Sequence, residues 1–153
     1  MEVKPNSNIQ YKIADLVEAV VGAAFAIIFF IFINAFYRDI LFLNQDFDQV
    51  RMLYNISLIV SIAIHLSRIV IRNKTYKAAT EIVSSIFLVA IAYQLWTIFP
   101  FNTSVIGNKD TWDSIFRALI IIPAVGACLS IVVNFVKLVV SGFDAQLGDA
   151  KVK

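Results

Sequence analysis

Four long apolar stretches alternate with short polar ones along the chain. They run from about Ile13 to Tyr37, Met52 to Ile71, Ala79 to Phe99 and Ile115 to Val140. Each holds the roughly 20 mostly apolar residues that a helix needs to cross a bilayer. The rest is a polar head, connections near 38–51 and 100–114, a basic turn at 72–78 and the tail FDAQLGDAKVK. The pattern predicts an all-α integral membrane four-helix bundle with short loops, forming one transmembrane domain over residues 1–153. The first stretch is too long for a signal-peptide core and lacks a small-x-small cleavage site, so it is expected to be retained.

Within the apolar stretches the polar residues are not scattered. At about 100° per residue, Tyr54, Ser57, Ser61, His65, Arg68 and Arg72 fall on one stripe of the second helix, while Asn55 and Ser67 fall off it. The fourth helix repeats the spacing with Pro123, Gly126, Ser130, Asn134, Lys137 and Ser141. Asp15 and Glu18 begin the first helix and Glu81 begins the third. Polar groups facing lipid are costly, so these stripes are expected to face protein or water. Three acids (Asp15, Glu18, Glu81) balance three bases (Arg68, Arg72, Lys137). The pattern predicts an interhelical ion-pair network, with Arg68 reaching Glu18 or Asp15. Arg72 and Lys137 are placed to snorkel toward the interface. Together with His65 and Asn134, these residues form the candidate intramembrane polar network. A proton or substrate relay centred on Glu18 and His65 is the functional alternative. Small residues at Ala19, Gly22, Ala23, Ala26, Gly126 and Ser130 predict close helix approach. Pro123 predicts a kink.

Composition strengthens the membrane reading. The chain is 59% hydrophobic and 16% charged, with a mean hydropathy of +0.79. Soluble domains run about 45–50% apolar and about 25% charged. Lys and Arg gather at the head, the 72–78 turn and the tail, whereas the two opposite connections mix both signs. That bias predicts a multi-pass protein of the cell membrane with both termini cytoplasmic. Trp96, Trp112, Tyr37 and Tyr54 then mark the outer interface, where amphipathic aromatics settle.

The chemistry-bearing residues are sparse. One His and one Cys cannot build a His/Cys metal cage, and no phosphate loop or nucleophile motif is present. No cofactor and no catalytic residue are expected. A net charge of +2 concentrated at helix ends reads as topology rather than nucleic-acid binding. Expected partners are membrane lipid and other integral membrane subunits or copies of the chain. The first function predicted is a non-catalytic subunit that packs into and stabilises a larger membrane complex. The second is a small oligomeric transporter or channel using the seam around Glu18, His65 and Arg68. Glu18 in the stretch VEAVVG resembles the intramembrane acid of small four-helix proton-coupled exporters, a likeness confined to residues 17–22.

Overall fold

The computed structural model describes the backbone of residues 7–71 and 73–150, with side chains at 13–71 and 73–142. Four helices account for most of it: α1 (Ser7–Phe36), α2 (Phe47–Val70), α3 (Lys74–Ile98) and α4 (Lys109–Ala150). All four are long and apolar enough to cross a membrane.

The helices run past the ends of their apolar stretches. The second was expected near Met52, the third near Ala79 and the fourth near Ile115; they begin at Phe47, Lys74 and Lys109. An asparagine lies ahead of each start. The Asn44 side chain accepts from Asp46 N at 3.0 Å, Asn73 from Thr75 N at 2.9 Å and Asn108 from Asp110 N at 3.1 Å. Side-chain acceptors of this kind satisfy N–H groups that a helix start leaves open. The basic turn is thereby shortened, and Lys74 and Lys77 become part of α3. Pro123 stands inside α4, which continues through it.

Neighbours along the sequence are neighbours in space. The α1 helix packs on α2, α2 on α3 and α3 on α4, and among the described residues α4 does not pack against α1 or α2. The four helices of the expected bundle are thus arranged as an open row. The α1/α2 seam is lined with alanine: Ala19, Ala23 and Ala26 are all buried. Small side chains let backbones approach when lipid supplies no hydrophobic drive between helices. Ala78, Ile91 and Ala92 of α3 and Ile120 and Ala127 of α4 are the buried apolar residues of the other hairpin. Gly126, expected at a close crossing, has no neighbouring atom where a Cβ would sit; Ala127 is buried in its stead. The outward faces are large aliphatic and aromatic residues such as Phe25, Ile122 and Leu129, suited to lipid.

The loops tie the two hairpins together at one end. Asn44 N donates to Pro100 O at 3.1 Å and Asn102 N to Phe42 O at 2.7 Å. Phe42 and Phe101 stack against Phe116 of α4 with centroids 5.7 and 4.7 Å away. Pro100 and Thr103 are fully buried beneath this cluster. Tyr37 is held from both sides, by its hydroxyl donating to Asp48 Oδ1 at 2.8 Å and by the Arg51 guanidinium 4.5 Å from its ring.

Candidate functional site

The opposite end, near the α2–α3 turn, gathers the charges. Arg68 leaves α2 and crosses to α3, where Nε donates to Thr80 Oγ1 at 2.9 Å and Nη2 to the Lys77 carbonyl at 3.3 Å. Its remaining nitrogen, Nη1, lies 3.7 Å from Glu18 Oε1 on α1. Lys77 Nζ sits between both α1 acids, 2.7 Å from Glu18 Oε2 and 3.1 Å from Asp15 Oδ1. One ammonium therefore bridges α1 to α3, and one guanidinium ties α2 to both. The four charges cancel.

Their exposures differ in a way that matters. The Arg68 side chain is 11% exposed, whereas Glu18 and Asp15 are 51% and 56% exposed. Arg68 is held by two neutral acceptors on α3, and its carboxylate contact is the longest of the three ion pairs here. The carboxylates remain reachable from outside the row. From Glu18 to the end of α1, and from Thr80 to the end of α3, each helix rises roughly 27 Å at 1.5 Å per residue. The cluster thus lies near one edge of a hydrocarbon core about 30 Å thick.

About one turn deeper, His65 of α2 stands over Gly22 of α1. A Cβ built on Gly22 would collide with the imidazole, lying 2.6 Å from both Nδ1 and Nε2. The glycine is what lets the ring into the seam. Nδ1 of His65 is buried without a hydrogen-bond partner among the described residues. Two half-exposed carboxylates sharing one ammonium, next to an imidazole with an unpaired nitrogen, are groups able to take up and release protons.

Not all of the expected network converges. Glu18, Asp15, Arg68 and His65 come together. Lys137 instead donates to Asn134 Oδ1 at 3.1 Å, one turn away on its own helix. Asn134 is buried against α3 and donates to Ser130, whose hydroxyl accepts from Ser85 at 3.1 Å. Glu81 has no ion-pair partner among the described residues. Arg72 lies outside the described residues. The expected balance of acids and bases is therefore replaced by one in which Lys77, assigned by the sequence to a turn, takes the central position.

Other polar contacts were not anticipated. Asn34 and Asn55, the latter off the expected stripe, exchange amide hydrogen bonds across the α1/α2 seam at 2.8 and 3.0 Å. Ser67, also off the stripe, accepts from the Tyr76 hydroxyl at 2.6 Å. Arg117 of α4 sits between the Trp96 and Phe99 rings, 4.6 and 4.5 Å from their centroids. Tyr54, Ser57 and Ser61 line an open groove of about 200 Å³ with Ser84, Phe87 and Ile91 of α3. Ser57 and Ser84 donate to carbonyls of their own helices. The hydroxyls of Tyr54 and Ser61 have no partner among the described residues.

Comparison with protein-family models, with curated proteins and with solved structures found no match to this chain.

Proposed function

We propose that the protein is a non-catalytic integral membrane subunit that packs into and stabilises a larger membrane protein complex, with both termini cytoplasmic. The observation that carries this reading is the open row. A row buries little: in the most apolar window of each span, between 6% and 28% is buried within the chain. Lipid suits the aliphatic faces. It does not suit the α2/α3 groove, where the Tyr54 and Ser61 hydroxyls lie open without partners. Polar groups in that position are normally covered by protein or water, and a neighbouring transmembrane helix supplies both cover and hydrogen-bond partners.

The experiment is purification of the full chain from its native membrane in mild detergent, with identification of every protein that remains bound. Constant companions of different sequence support the subunit reading, and their loss in a Ser61→Leu variant would place the contact in the groove. A chain that stays monomeric and alone in native nanodiscs would overturn it.

One observation favours a second reading, a small oligomeric transporter or channel. The unpaired Nδ1 of His65 lies beside the Glu18–Arg68–Lys77 cluster, the kind of arrangement a proton relay requires. The first reading expects no selective flux from the pure chain in liposomes. Selective flux that disappears in both Glu18→Gln and His65→Ala variants would favour the second.

A further inference from the structure

At the end of the molecule carrying the α2–α3 turn, α3 and α4 together line a groove of about 330 Å³. Its walls are Ala78, Val136 and Val140, and its mouth carries Lys74, Lys137, Thr75 and Ser141. No carboxylate lines it among the described residues. Among the described residues Lys74 has no partner, and Lys137 gives one N–H to Asn134 while its other two donors meet none. The start of α3 opens at the same mouth. The Asn73 side chain satisfies only the N–H of Thr75, so the positive end of the helix adds to the two ammonium groups. Thr75 Oγ1 donates to Ser141 Oγ at 3.4 Å, and this weak bond can be exchanged for one to a bound oxyanion. Val140 stands at the mouth beside Ser141, and from it Val136, Val132 and Leu129, each more than half exposed, continue as an apolar track along α4 toward the middle of the bilayer.

We propose that this groove binds one anionic phospholipid, its phosphate held between Lys74 and Lys137 at the start of α3 and an acyl chain lying along Val136, Val132 and Leu129. The chemistry is complementary at both ends. Two ammonium groups and a helix N-terminus meet the phosphate, and an aliphatic wall meets the chain. The depth also agrees. The Thr75–Ser141 contact lies about five residues, or roughly 7 Å, beyond Thr80 along α3, in the headgroup layer next to the hydrocarbon edge. Basic pockets between transmembrane helices are a recurrent form of anionic headgroup site. The proposal needs only the membrane-spanning fold and is independent of the assembly described above.

The test is native mass spectrometry of the full-length protein in neutral detergent, titrated with phosphatidylglycerol or with phosphatidylcholine of the same acyl chains. The native protein should bind phosphatidylglycerol about ten-fold or more tightly over phosphatidylcholine. Lys74→Gln and Lys137→Gln should each weaken phosphatidylglycerol about five-fold, and together about 25-fold, with little change for phosphatidylcholine. Arginine at both positions should keep the preference. So should Lys109→Gln at the loop end. Glycerol 3-phosphate should not displace the lipid, since it lacks the chain. If the double glutamine variant does not fold, the native protein decides: its phosphatidylglycerol preference should shrink as salt rises from about 0.05 to about 0.5 M. Equal binding of the two lipids, an undiminished preference in the folded double variant, a salt-independent preference, or displacement by glycerol 3-phosphate would each overturn the proposal.

Discussion

Replacing Gly22 by alanine sets two known effects against each other. In an ordinary helix the change is favourable by roughly 0.5–1 kcal/mol, because glycine loses more backbone freedom on folding. Here the new methyl group would stand 2.6 Å from two imidazole nitrogens of His65, while ordinary contact begins at 3.4 Å. The ring's Cε1 would stand closer still, so more than about 0.8 Å must be found, either by swinging the ring out of the seam or by separating α1 from α2 where Ala19, Ala23 and Ala26 hold them close. Overpacking of this sort costs about 1–3 kcal/mol. The clash outweighs the propensity gain, and the net loss should be about 0.5–2 kcal/mol. At about 2–4 °C per kcal/mol for a chain of this size, thermal unfolding in detergent should fall by a few degrees. The control is built from the same pair. His65→Ala removes the ring, so adding Gly22→Ala to it should be neutral or stabilising. A Gly22→Ala protein as stable as the native one, with His65 in place, would refute the argument.

Other outcomes follow from the same contacts. Arg68→Leu should cost about 1–3 kcal/mol in detergent unfolding, because Thr80 and the Lys77 carbonyl lose a charged donor. Lys77→Leu should cost only about 0.2–1 kcal/mol, since its carboxylate partners are half exposed, and in that background Glu18→Gln should matter less than in the native chain; equal losses in both backgrounds would show that the pair does not couple. Asn34→Leu or Asn55→Leu alone should destabilise, and the double variant should recover about 0.6 kcal/mol, the mean for polar contacts between membrane helices; strict additivity would argue against the amide exchange. In a Cys128→Ser background, a cysteine at Ser104 should react with an impermeant reagent applied outside the cell and one at Lys74 should not, and the reverse would invert the orientation.

Much of this architecture is written in the hydropathy pattern, because lipid demands long apolar helices and little else satisfies that demand. The Glu18–Arg68 contact was likewise legible, since both residues lie at the same depth on adjacent helices. Lys77 was not. The apolar stretch of α3 begins near Ala79, and nothing in hydropathy says that Asn73 starts the helix six residues earlier. Asn34 and Asn55 were missed because each was read on its own helix. An antiparallel register that puts His65 on Gly22 also brings those two amides close together. The open row was beyond reach of the pattern for another reason. A stripe such as Ser130–Asn134–Lys137 says that a face is polar, not which neighbour packs against it, and among the described residues that neighbour is α3.

The loop ties carry a consequence for biogenesis. Each hairpin is made from segments that follow one another directly, so its contacts are local and can form as it enters the bilayer. The bonds from Asn44 to Pro100 and from Asn102 to Phe42 join points nearly 60 residues apart. They can close only after both loops have crossed to the same side. Contacts of such long separation are entropically late. Insertion should therefore proceed as two independent units, with the clasp between Phe42, Phe101 and Phe116 sealing last. Two polypeptides divided within residues 71–73 should, when produced together, find each other and close the same clasp.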